Sequence, residues 1–346
     1  MSRQNLDVCP NVRPVVLPLA AALLLALTAC GGGGGSDDSA DGSLSSETAT
    51  HYAADSTLVA SDTTVAVETA VVTAEAVTAT QAGGSAASTG RSSAQAAGQG
   101  EGQASAQAVA SVPVACPGGG SATLTITGGT ALSVLNGQFD AGEMYAITFD
   151  QCAAASGAAQ VNGAMTLTVQ SAGSGSLVAA VTATALQVGL PRGSLSYSGA
   201  ASWSASRSDN GGGVTVANST LAADQLSVTT AYAARSSQFA LTAVDVQRSA
   251  TWSGELLQSS SMSGSWTLSA SGVNGNFSAT VATQRNCSFD AEGNPTGGGW
   301  SLDLPTARLT MSVAGGSATL QLDSGKDGSI DRSWTATLPE LEAAAG

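Results

Sequence analysis

The chain reads as an all-β protein: an antiparallel meander, curved sheet, open barrel or sandwich that follows a disordered N-terminal tether. Three observations predict this. From about Pro113 onward, apolar residues recur at every second position, the period of a strand with one buried and one wet face. Tight-turn signals separate those runs, and no long stretch between Gly118 and Leu338 keeps a helical period. Ahead of them lies a segment of Ala, Ser, Thr, Gly, Gln and Val with a single aromatic residue, Tyr52.

Taken in order, the strand signals are these. Leu124 and Ile126 alternate with Thr123, Thr125 and Thr127. Tyr145, Ile147 and Phe149 share a phase, as do Met165, Leu167 and Val169, and later Phe277, Ala279 and Val281. The clearest run is Ala307, Leu309, Met311 and Val313, alternating with Arg308, Thr310 and Ser312. Gly128-Gly129, Asn136-Gly137, Ser171 to Gly175, Asp209 to Gly213, Asn274-Gly275, Gly297 to Gly299 and Asp327-Gly328 supply the turns. About 12 strands are expected on this spacing. A boundary near Gly189 to Gly193 suggests a small β module over 113–189 and a larger antiparallel domain over 190–346. Leu, Ile, Val and Phe make up 44 of the 234 residues from Pro113, close to the level at which chains stay unfolded. The core is therefore expected to be thin and built partly of Ala and Gly.

All five tryptophans lie in the second half: Trp203, Trp252, Trp266, Trp300 and Trp334. The last three are spaced 34 residues apart, which suggests a weak repeat of two strands per unit. They allow two readings, a row of exposed platforms for sugar rings or filling of the core. Each falls in the phase that carries aliphatic residues, which favours the core.

The first thirty residues carry a different message. Arg3 and Arg13 precede the apolar run Val15 to Leu27, which is much shorter than the roughly 20 residues of a spanning helix. That is the layout of a secretory signal peptide over residues 1–29. Its end, Leu27-Thr28-Ala29-Cys30, resembles the lipobox of bacterial lipoproteins at every position. The resemblance implies covalent lipid on Cys30, cleavage before it and acylation of the new amino group. Two or three acyl chains anchor a protein to a membrane stably. Gly31 in place of Asp resembles the outer-membrane sorting class, and in overall style the chain resembles uncharacterised Gram-negative outer-membrane lipoproteins. Residues 30–112 then read as a lipidated, acidic, disordered tether, because they carry too little apolar surface to offset the entropy of ordering. Val65, Val67, Val71, Val72 and Val77 interrupt that composition without a clean period.

Charge narrows the partners. The full chain has a net charge of −14. Loss of the signal peptide removes Arg3, Arg13 and Asp7, which makes the mature chain more acidic still. Nucleic acid needs clustered Lys and Arg, so no nucleic-acid partner is expected. The expected membrane contact is the lipid anchor; a carbohydrate or protein ligand is left open, as is the periplasmic or cell-surface orientation.

Once Cys30 is lipidated, Cys116, Cys152 and Cys287 remain, enough for one bridge in an oxidising compartment. Cys116 and Cys152 are nearest in sequence and form the favoured pair; Cys287 is then free, or replaces either partner. The inventory for catalysis is poor. The single histidine, His51, sits in the expected tether, and the single lysine is Lys326. No G-x-S-x-G, P-loop, dinucleotide fingerprint or C-x-x-C is present, so a non-enzymatic role is expected, with a carboxylate-pair hydrolase the least favoured reading. One loop, Asp323 to Asp331, partly resembles a calcium loop. Asp323, Asp327 and Asp331 with the Ser329 carbonyl are candidate ligands for weak calcium binding, and a plain Asp-Gly hairpin between two strands is the simpler reading. Asp140-Ala141-Gly142-Glu143 similarly offers acids for a cation site or forms a polar turn.

Overall fold

In the computed structural model, the described residues are 44–85, 111–128, 136–156, 158–190, 193–232, 235–253, 256–272, 275–290 and 295–344. The signal peptide and Cys30 lie outside them. The architecture is all-β: fourteen antiparallel strands in one sheet, each hydrogen-bonded to the next in chain order. The edge strands are short, β1 (Val112–Ala115) and β2 (Ser121–Thr127) on one side, β13 (Ser317–Asp323) and β14 (Arg332–Thr337) on the other. Between them lie β3 (Met144–Cys152), β4 (Val161–Gly173), β5 (Ser176–Leu190), β6 (Gly193–Asp209), β7 (Val214–Tyr232), β8 (Arg235–Ser253), β9 (Leu256–Gly272), β10 (Phe277–Phe289), β11 (Pro295–Asp303) and β12 (Arg308–Ala314). The boundary expected near residue 190 falls in a hairpin between β5 and β6, which pair along their whole length. One sheet therefore replaces the two expected modules.

The larger correction concerns the tether. Residues 46–85, expected to be disordered, form a 40-residue helix, α1 (Ser46–Ser85). It approaches β1 and β2 at one edge of the sheet, every strand from β4 to β12, and β14 at the other edge. The sheet therefore curls around it. A 40-residue helix is about 60 Å long, and the 19-residue strands β7 and β8 reach about 63 Å, so the tallest strands match it.

The reason the sequence pattern concealed α1 is physical. A helix against one surface shows an apolar stripe, whereas one buried on all sides shows none. Ala53, Ala66, Val67, Ala70, Ala74 and Val77 are inaccessible to solvent, but so are Ser56 and Thr73. Threonine is tolerated inside because its hydroxyl can donate to the carbonyl one turn back. Thr57, Thr64, Thr73 and Thr78 do so at 2.7–2.9 Å. Ser45 caps the start, its hydroxyl accepting the Thr48 amide at 3.0 Å.

α1 thereby supplies the volume that the aliphatic-poor strands lack. Alternate strand residues turn into the core that contains it: Leu309, Met311 and Val313 of β12 and Ala318, Leu320 and Leu322 of β13 are buried in the same cluster as the α1 residues. Their neighbours Arg308, Thr310 and Ser312 face outward. Polar contacts fix its position along the sheet. The Trp334 indole donates to the Thr50 hydroxyl at 2.9 Å, and the Tyr232 hydroxyl donates to Asp62. Tyr52 stacks on Phe277 with ring centroids 3.9 Å apart.

Curvature comes from β-bulges, each of which bends its strand and tightens the twist. In β5 the register slips between Ala183 and Leu186, with Ala185 at φ 49°. Gly163 on β4 faces this bulge, and a Cβ there would sit 2.8 Å from the Ala185 carbonyl oxygen. A second bulge interrupts the pairing of β8 with β9 between Thr242 and Asp245. A short helix, α2 (Leu338–Ala344), packs beside the start of α1. Its capping box is complete: Glu340 accepts from the Thr337 amide at 2.7 Å and hydroxyl at 2.9 Å, while the Glu340 amide donates back at 3.3 Å. Those bonds hold the Glu340 carboxyl below its ordinary pKa, the Thr337 amide contributing most. His51, placed in the tether by sequence, instead stands on α1 with Nδ1 2.7 Å from the Ala344 carbonyl oxygen.

Candidate ligand cavity

The sequence candidates are placed as follows. Cys116 and Cys152 form a disulfide, with 5.5 Å between their Cα atoms, and this closes the expected 36-residue loop. Cys287 is free and buried, and burial pushes its thiol pKa up to about 12. At that value it is neutral at physiological pH and a poor nucleophile.

In the Asp323 to Asp331 loop the carboxylates serve the backbone. Asp323 is buried and accepts from the Asp327 amide at 3.1 Å and the Gly328 amide at 3.0 Å. Asp331 accepts from the Ser324 amide at 2.7 Å, and Asp327 from the Ser329 amide at 2.8 Å. Lys326 reaches out to Asp303 at 3.1 Å. This is the bonding of a hairpin turn between β13 and β14. Among the described residues no group of three His, Cys, Asp or Glu side chains is gathered in a way that could hold a metal ion.

Trp203, Trp266 and Trp300 are buried, at 2%, 1% and 1% exposure, and Trp252 and Trp334 are half-buried. The 34-residue spacing does not mark a structural repeat. Trp266, Trp300 and Trp334 stand on β9, β11 and β14, so one strand lies between the first pair and two between the second.

A cavity of about 1040 Å³ opens beside the C-terminal half of α1. One wall is the helix, with Glu68, Val71, Val72 and Glu75. Facing it are the turn between β4 and β5, the ends of β6 and β7 around Trp203 and Arg207, and the loop Asn136 to Asp140. Its size falls at the upper end of small-molecule pockets, roughly 300–1,000 Å³.

The loop is held firmly. Glu143, inaccessible to solvent, accepts from the Asp140 amide at 3.1 Å and from the Tyr145 hydroxyl. Phe139 meets the Tyr145 ring edge-on, with centroids 4.7 Å apart. Burial, reinforced by the bond to Glu143, raises the Tyr145 pKa well above the usual phenol range, so it remains a donor. Gly142 donates to Val169 at 2.9 Å, pinning the loop onto β4.

The charges around the cavity are unequal in status. Glu68 is paired with Arg248 at 2.7 Å. Glu75 is different: it is half-buried, and burial raises its pKa from 4.5 to about 7, with the positive charge of Arg207 pulling the other way. Arg207 is exposed, and among the described residues no ion pair or hydrogen bond engages Glu75. The surface that Glu75 retains lies in the cavity wall.

Sequence reasoning missed this site. Of its charged residues the sequence singles out only Asp140; Glu68, Glu75 and Arg207 come from distant segments with no motif spacing to join them. One available signal was punctuation: no glycine or proline occurs from Ser43 to Ala82, in a chain that has 42 glycines. In comparisons with known proteins, no family model, no curated protein and no solved structure matches this chain.

Proposed function

We propose that this protein is a lipid-anchored outer-membrane lipoprotein whose β-domain, non-enzymatic, binds a small ligand in the cavity between α1 and β4 to β7. The observation that carries the binding reading is the half-buried Glu75 carboxylate, which stands in the wall of a pocket of ligand size with no hydrogen bond or ion pair among the described residues. Withdrawing an ionised group part-way from water without a close partner is costly. Folds keep such groups chiefly where something else completes them. The anchor reading is supported by Leu27-Thr28-Ala29-Cys30. It agrees with an outward sheet face of Ser, Thr and Arg rather than a lipid-facing apolar band, Met144 and Ile330 being the exposed large apolar residues among those described.

Two experiments test the two halves. Cell fractionation and mass spectrometry of the mature N-terminus should find diacylglyceryl-modified Cys30 in the outer membrane. An unmodified sulfur, or a Cys30→Ser variant that fractionates unchanged, contradicts the anchor. Thermal-shift screening of the mature chain against sugars, amino acids, amines and organic acids should yield a stabilising class whose effect disappears in a cavity-filling Val72→Trp variant. Equal shifts in both proteins contradict the cavity. A sugar that stabilises through Trp203 would identify the carbohydrate form of the same reading.

A further inference from the structure

We infer that the cavity selects an organic cation, an amine or guanidine carried on an apolar body, with Glu75 as its counter-charge. This rests on the binding reading above and assigns its ligand class.

The charge distribution points this way. Among the described residues of the cavity wall the carboxylates are Glu68, Glu75 and Asp140, and the cation is Arg207. Arg248 cancels Glu68 through the 2.7 Å pair. Arg207 is exposed and forms no ion pair with Glu75. What remains in the cavity wall is the half-buried Glu75 carboxylate, with no hydrogen bond or ion pair among the described residues, together with Asp140. A ligand cation within hydrogen-bond reach of Glu75 would restore the interaction that water supplies in the unfolded chain.

Size and lining suit an organic occupant better than a bare metal ion. A cavity of about 1040 Å³ is far larger than a coordination sphere, and no metal-ligand cluster is gathered among the described residues. Val71, Val72, Phe139, Leu177 and Trp203 line it, so the rest of the ligand meets apolar and aromatic surface, which suits a hydrocarbon or aryl body attached to the cation. Because Glu75 titrates near neutrality, a bound cation draws its proton off. Binding near pH 7 is therefore accompanied by proton release and weakens in acid, with Glu68, Asp140, Arg207 and Arg248 as the other charges facing the site.

Three probes of nearly one shape isolate charge: 2-phenylethylamine, 2-phenylethanol and phenylacetate, titrated calorimetrically into the mature chain at pH 8 and pH 5.5. The amine should bind at least about tenfold more tightly than the alcohol at pH 8, and phenylacetate more weakly than either. That preference should shrink at pH 5.5 and vanish in Glu75→Gln, while Glu75→Asp retains part of it. At pH 7 the apparent heat should depend on buffer ionisation enthalpy. Equal binding of the amine by wild type and Glu75→Gln overturns the assignment, marking only attraction to an acidic protein. Tighter binding of the alcohol or acid, abolished by Val72→Trp, also overturns the cation class while leaving cavity binding intact. If none of the three binds, the cation class is likewise overturned, and the thermal-shift panel decides separately whether the cavity binds anything.

Discussion

Replacing Glu75 by glutamine removes the charge and keeps the shape, and the structure gives the sign and size of the effect. The folded protein holds the Glu75 proton to about pH 7, while the unfolded chain releases it at an ordinary 4.5. Between those values the native state binds more protons than the unfolded state, so stability falls as pH rises. At 1.36 kcal/mol per unit, the difference amounts to roughly 3 kcal/mol once the pH exceeds 7. Glutamine does not titrate. Glu75→Gln should therefore match the wild type near pH 4.5 and exceed it by up to roughly 3 kcal/mol at pH 8. Urea unfolding followed by tryptophan fluorescence at both pH values measures this as a rise in midpoint with unchanged slope. A variant that is equally stable or less stable than wild type at pH 8 refutes the placement of Glu75 as a partly desolvated carboxylate without a close partner. A gap that persists undiminished at pH 4.5 does so too, because the gain would then come from packing.

Two further outcomes follow from the same structure. Replacing Cys116 and Cys152 together by serine opens a 36-residue loop and should lower stability by roughly 4 kcal/mol on the chain-entropy estimate, read as an earlier urea midpoint; an unchanged midpoint argues against the bridge. Asp323→Ala leaves the Asp327 and Gly328 amides without their acceptor and should cost about 1–3 kcal/mol. That loss should be the same in calcium and in EDTA if the loop is a plain hairpin turn, whereas a loss that grows with added calcium would support the metal reading.

How much of this was legible in the sequence depends on what each element packs against. The strands were legible because they have two unlike faces: Leu309, Met311 and Val313 look inward while Arg308, Thr310 and Ser312 look out. The hairpin of β13 and β14 was legible for the same reason, with Asp327-Gly328 at its turn. α1 was not, because a helix enclosed by a sheet has no second face. Its Ala, Val and Thr content looks like a polar linker to any test that seeks an amphipathic stripe. The error propagated. With residues 46–85 assigned to a tether, the strands appeared short of core, and His51, Glu68 and Glu75 were set aside with the tether. The cavity exists only because the helix and the strands are brought together, so its carboxylates carry no local signature.

The central claim is that residues 46–80 form the interior of the β-domain. Hydrogen exchange of the mature protein, resolved by peptide, tests it most directly. Backbone amides from Ala53 to Val77 should exchange as slowly as those of β7 and β8, since both are buried, hydrogen-bonded and open only with the whole fold. Exchange of that segment at the rate of an unstructured chain, with β7 and β8 still protected, would show a free linker beside an empty sheet and contradict the account.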